Sequence, residues 1–229
     1  MRTRIVTAAN IDQIPIIEQI KLHSNRTEIN KDGYLEFFGA ARPTRKINIT
    51  SAMIYEPGNI GFTNPANQRL VPATDMTALI LNGQMNDGQN TSQVFILEMD
   101  NAIDTSEIIQ FKVVFAPEVD IATGDLQIRV DYAFTKDGDT IGVPGGTPTA
   151  TLRSTGNETV TVNSTATSTP QISHIFDLDI TALNPLRDTL WLQFVRNGGS
   201  GSDTFGGQIY VFSTTLIYKV WSSGGHEFD

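Results

Sequence analysis

Between residues 126 and 134 the chain alternates: Leu126, Ile128, Val130, Tyr132 and Phe134 are large and apolar, while Gln127, Arg129 and Asp131 between them are polar and Ala133 is small. A period of two fits a pleated strand, whose side chains point alternately to opposite faces, and does not fit the stripe of a helix. One apolar and one polar face also select the kind of sheet. Strands of a parallel α/β sheet are covered on both sides and read as continuous apolar runs, so this strand belongs to an antiparallel sheet with one face buried and one wet.

The same period recurs along the chain. Residues 47–55 put Ile47, Ile49, Ser51, Met53 and Tyr55 on one face, until Glu56, Pro57 and Gly58 end the run. Further strands are expected at 77–81, 93–99, 108–115 (stopped by Pro117), 160–162, 172–180, 189–195 and 208–221. The last is apolar on both faces in places, as suits a central or intersubunit strand. Gly83, Asn86, Asp87 and Gly88 supply turn chemistry, and 137–157, 163–170 and 197–202 read as polar loops. About nine strands with little helix predict an all-β fold, a jelly-roll-like antiparallel β-sandwich. A chain of 229 residues buries roughly 70% of the surface its unfolded form exposes, which is core enough without disulfide or metal.

The net charge of −9 conceals a division. Residues 1–46 hold eight of the sixteen Lys and Arg against five acids, a net of +3, and the remainder holds eight bases against twenty acids, a net of −12. Within the basic segment, Ile11, Ile14, Ile16, Ile17 and Ile20 surround Pro15. Asp12 is placed to cap a short helix with Pro15 in its first turn, and the β-branched content equally permits an extended segment. The chain therefore divides into an N-terminal arm at 1–46, extended or short-helical, and a sandwich body at 47–229. The arm's cations either meet another subunit or pair with the acidic body.

Composition removes much chemistry. The absence of cysteine excludes thiol nucleophiles, redox pairs, iron–sulfur clusters and thiolate zinc sites. The three histidines, His23, His174 and His226, are scattered. Asp137 and Asp139 flank Gly138 with the carboxylate density of a calcium loop, yet the further acidic ligands are missing, so a turn is expected. His174 falls on the apolar side of its strand, as a hydrogen-bonded core histidine would. Trp191 has the opposite parity to Leu190 and Leu192, which suits an exposed or interface tryptophan. No catalytic residue, cofactor or metal is expected, and the negative charge argues against nucleic acid. No apolar stretch is long enough to span a membrane, and the first residues lack the apolar core of a signal peptide, so synthesis in the cytoplasm is expected.

One arrangement of these elements is familiar. An apolar strand ending in a Pro turn (111–117) leads through an acidic loop (118–124) to the alternating strand at 126–134. A Thr-rich stretch (137–170) then precedes a strand ending near Asp177 and Leu178. The run Leu190, Leu192, Phe194, Arg196 follows, then a Gly/Asp loop (197–207) and a closing strand to Tyr218. In this order residues 108–220 resemble the β-sandwich of structural proteins of tailed bacteriophages. The resemblance implies a virion protein that decorates and cements a capsid, a trimer in contact with the major capsid protein and not an enzyme. Arg2, Arg4, Ile14, Ile16, Ile17, Ile20, Arg42, Arg45 and Lys46 are its candidate capsid contacts. Each isoleucine buried on docking would contribute about 1.5–3 kcal/mol. The alternative is a tail-fibre or spike module whose polar loops at 137–157, 163–170 and 197–206 bind a host surface glycan.

Overall fold

The alternating run folds as a twelve-residue strand, Gly124–Thr135, the backbone of one of two packed sheets. A computed structural model describes residues 25–31, 33–49, 64–65, 70–71, 79–80, 83–85, 88, 90–117, 123–136, 139, 150–163 and 171–222. In chain order the strands are β1 (Arg26–Ile29), β2 (Leu35–Phe38), β3 (Thr44–Ile49), β4 (Asn64–Pro65), β5 (Leu70–Val71), β6 (Leu79–Ile80), β7 (Gly83–Met85) and β8 (Asn90–Glu98). They continue as β9 (Ile109–Pro117), β10 (Gly124–Thr135), β11 (Arg153–Ser154), β12 (Glu158–Val162), β13 (Ile172–Leu178), β14 (Thr189–Asn197) and β15 (Ile209–Lys219).

One sheet runs β10, β14, β8, β4, with β11 and β12 sharing the outer edge of β10. The other runs β13, β9, β15, with β3 and β7 sharing the far edge of β15. Pairing is antiparallel throughout the large sheets except between β4 and β8. The chain is thus an all-β sandwich of antiparallel sheets, as its periodicity requires. The inward residues of the alternating strand, Leu126, Ile128 and Val130, are buried and meet Phe111, Val113 and Phe115 in one core. Rings cross between the sheets: Phe95 packs on Phe111 at 5.5 Å and Phe176 on Phe194 at 5.9 Å. The Tyr132 hydroxyl also crosses, accepting the Asp179 N–H at 3.2 Å.

Strand β15 is central, flanked by β9 on one side and by β3 and β7 on the other. Its register against β9 shifts between Val211 and Ser213. Ile209 and Val211 point inward before this bulge, and Thr214, Leu216 and Tyr218 after it. A bulge inserts one unpaired residue and so reverses the phase of alternation, which accounts for the mixed faces of 208–221.

Part of the basic segment lies outside the described residues, including Arg2, Arg4, Ile14, Ile16, Ile17 and Ile20. Its described part is a β1–β2 hairpin, a 3-10 turn at Gly39–Ala41 and the edge strand β3, which runs through residue 46. The hairpin is tied to the end of β15, where the Phe37 N–H donates to the Trp221 carbonyl at 2.7 Å. Arg42 pairs with Asp104 and, at 3.7 Å, with Glu107, and Arg45 pairs with Asp100. Two of the candidate capsid contacts are therefore engaged with carboxylates of the same chain, while Lys46 is exposed on β3.

Candidate functional site

Two surfaces of the sheet built around β10 are rich in polar side chains. The first is its outward face, expected to be wet. It is polar but largely closed: Gln127, Asp131, Thr135 and Gln193 are all buried. Neighbours on the same face satisfy several of these groups. Arg129 Nε donates to both oxygens of Asp131 at 3.1 and 2.9 Å, Gln127 Nε2 to Thr159 Oγ1 at 2.6 Å, and Trp191 Nε1 to Thr135 Oγ1 at 2.8 Å. Trp191 is on this face, as its parity predicts, but it is half-buried and bonded within the chain rather than exposed. Groups that already satisfy one another gain little by meeting a ligand, because every new hydrogen bond replaces an existing one.

The second surface is a cleft of about 390 Å³ at one end of the sandwich. There β10 finishes, β14 begins with Thr189 opposite Thr135, and the turn from β13 enters. Phe134, Lys136, Arg153 and Arg187 line the cleft together with Thr151 and Asn184. This volume falls in the range of small-molecule sites. Arg153 follows from the short pairing that sets it opposite Tyr132 on β10. Its guanidinium lies 5.3 Å from the centroid of the Phe134 ring and 3.5 Å from Asp179 Oδ2. Asp179 Oδ1 accepts the Thr181 N–H at 3.0 Å and the Thr181 hydroxyl at 2.8 Å. These bonds, with a smaller contribution from Arg153, hold its carboxyl below the usual range.

The turn that brings in Arg187 is firmly made. Ile180 and Leu183 are buried as its anchors, the Leu183 N–H donates to the Ile180 carbonyl at 2.8 Å, and the Asn184 N–H donates to Asp188 Oδ2 at 2.8 Å. Asp139 Oδ2 likewise accepts the Lys136 N–H at 3.1 Å. The two acids of the cleft lining thus accept backbone N–H groups of their own turns. Among the described residues, by contrast, the side chains of Lys136 and Arg187 form no ion pair, and both are exposed.

The sequence does not single these residues out. Lys136, Arg153 and Arg187 are far apart in the chain and obey no spacing rule, because what joins them is that strands β10, β11 and β14 share one end of a sheet. A signal is present all the same. The body has only eight Lys and Arg, and three of them line one cleft. Of the others, Arg129 is paired with Asp131, Arg196 with Asp203 and Lys219 with Glu107.

The described strand ends that lead into the three polar loops lie at two ends of the sandwich. The 197–206 loop leaves β14 at the end opposite the cleft, where Arg196 pairs with Ile128 near the start of β10. Val162, which precedes 163–170, is likewise opposite Gly124 at that far end. Among the described residues of these loops, Asp139, Ala150, Thr151 and Arg153 line the cleft; 137–138, 140–149 and 164–170 lie outside the described residues. His174 is half-buried and bridges the sheets at their edge, its Nε2 being 2.7 Å from Glu158 Oε2 and its ring 4.7 Å from that of Phe176. Among the described residues no group of three or more His, Asp or Glu could hold a metal ion, and no helix is long and apolar enough to cross a membrane.

No family model matches the sequence, and no curated protein matches it. Among solved structures the chain is similar to TmCBM61, determined in complex with β-1,4-galactotriose, with 7% identity and a TM-score of 0.28 over 77% of this chain and 88% of that one. It is similar also to TmCBM27, a carbohydrate-binding module described for specific mannan recognition, with 13% identity and a TM-score of 0.32 over 76% of this chain and 98% of that one. At such identities and scores neither likeness bears on what this chain binds.

Proposed function

We propose that the chain is a non-catalytic recognition module that binds a surface glycan in the cleft at the end of its sandwich, as a tail-fibre or spike module would. The observation that carries this reading is the cleft itself. It joins an aromatic wall, Phe134, to hydrogen-bonding groups from Thr151, Asn184 and three cationic side chains. Sugars ask for this combination, since their C–H faces pack on rings while their hydroxyls need donors and acceptors. Its walls are preorganised by the turn bonds at Asn184 and Asp188, so little ordering would be lost on binding. The test is a glycan array probed with the full chain, followed by calorimetry on any hit. Binding that is lost when Thr151 and Asn184 are both replaced by Ala supports the reading, and an array with no hit ends it.

A second reading, a structural virion protein that decorates a capsid as a trimer, is favoured by one feature. Ile29 and Leu35 are cross-strand partners on the β1–β2 hairpin, and they stand 73% and 41% exposed. Paired apolar side chains facing water suit a protein contact. Co-sedimentation with capsids that survives Ile29→Asp with Leu35→Asp would exclude that role for the hairpin.

A further inference from the structure

We infer that the cleft takes an acidic saccharide, one bearing carboxylate or sulfate groups. This deepens, and rests on, the reading of the cleft as a glycan site. The chain as a whole is acidic, at −9, yet this one concavity is lined by Lys136, Arg153 and Arg187 against only Asp139 and Asp188. In each acid Oδ2 already accepts a backbone N–H of its own turn, and the cations still outnumber the acids of the lining by one. Lys136 and Arg187 are exposed and form no ion pair among the described residues. Arg153 is held in place by Asp179 and the Phe134 ring, and a guanidinium offers five N–H donors, more than Asp179 can accept. A neutral sugar would leave Lys136 and Arg187 with no ion pair among the described residues, and Arg153 with Asp179 alone. An anionic group brought among them completes charge-assisted hydrogen bonds, the stronger class. The acidic body does not forbid this, because at physiological salt the screening length is about 8 Å and the nearest charges dominate.

The experiment is calorimetric titration of the full chain with three oligosaccharides of equal length: a carboxylated one, its carboxyl-reduced neutral counterpart and a sulfated one. The acidic ligand is expected to bind about tenfold tighter than the neutral one for each charge-assisted bond it gains. Raising salt from about 0.01 M to about 0.15 M should weaken only the acidic ligand, as the screening length falls from about 30 to about 8 Å. The carboxylated and sulfated arms identify which group is recognised. Lys136→Gln and Arg187→Gln alter exposed side chains and leave the core intact, so their effect is read on binding alone. Each should reduce acidic binding about tenfold and neutral binding by clearly less, so that the preference for the acidic chain narrows. Equal affinity for acidic and neutral chains, with both variants silent, overturns the inference while the glycan reading stands. Failure of all three oligosaccharides overturns both.

Discussion

The side chains of Arg196 and Asp203 are both fully buried, and the consequence of losing either follows from what each holds. Arg196 Nη2 donates to Asp203 Oδ1 at 2.9 Å and to the Phe205 carbonyl at 2.5 Å, Nε donates to Asp203 Oδ2 at 3.1 Å, and Nη1 bonds to the Gly207 carbonyl. Asp203 Oδ2 also accepts the Gln127 N–H at 3.2 Å. The pair therefore clamps the 197–207 loop to β10. Removing one partner leaves an uncompensated charge in the core, so Asp203→Ala should lower unfolding free energy by about 3–5 kcal/mol in a denaturant titration. Replacing both, as Arg196→Met with Asp203→Leu, should recover much of that loss, because the desolvation cost goes too. Tyr218 gives a second test at this scale. Burial raises its phenol pKa above the ordinary 10.0, Asp100 adds to the rise, and Arg45 opposes it. Since the folded value is the higher one, the neutral phenol's contribution is complete below pH 10 and is lost as pH climbs from there through the folded value. Tyr218 should ionise above pH 10 in a 295 nm titration, and Tyr218→Phe should remove that component.

Elements meet most tightly where β10 starts. The Thr204 and Phe205 N–H groups both donate to the Asp125 carbonyl, at 2.8 and 3.1 Å. A Cβ on Gly124 would lie 2.7 Å from the Thr204 carbonyl oxygen and 2.8 Å from Phe205 Cα. Both are backbone atoms, so the loop must shift, and Gly124→Ala should cost about 1–3 kcal/mol by thermal or chemical unfolding. The strands themselves were mostly legible: the runs at 93–99, 108–115, 126–134, 172–180 and 189–195 fold as β8, β9, β10, β13 and β14. Others were not. Gly83 reads as a turn residue but begins β7, because β15 offers it an unpaired edge at Ile209–Val211, and pairing partners are invisible to a local window. The β1–β2 hairpin lay in a segment read as an arm, since its four-residue strands are too short for a period to declare itself.

At the scale of the molecule, β3 couples the first part of the chain to the core. It pairs with β15 from Thr44 to Ile49, the Thr214 hydroxyl donates to the Ile49 carbonyl, and Ile49 is buried. A chain beginning at residue 50 would leave the edge of β15 unpaired from Thr214 to Lys219, a template for aggregation. By calorimetry it should melt several degrees below a chain beginning at residue 25 and be less soluble. Periodicity alone fixed the class of this protein: an apolar–polar repeat of two, reaching from Leu126 to Phe134 and recurring beyond it, leaves only sheets with one face buried, and their packing into a sandwich follows from the need to cover those faces. What periodicity could not decide is which strand ends lie together. The cleft of Lys136, Arg153 and Arg187 exists because β11 folds back along β10 and the turn from β13 crosses to β14, contacts that only the whole chain can choose. The same holds for the polar face of β10, which is closed by hydrogen bonds among Arg129, Asp131, Gln127 and Thr159, since whether a polar side chain meets water or a neighbour depends on what tertiary pairing sets beside it.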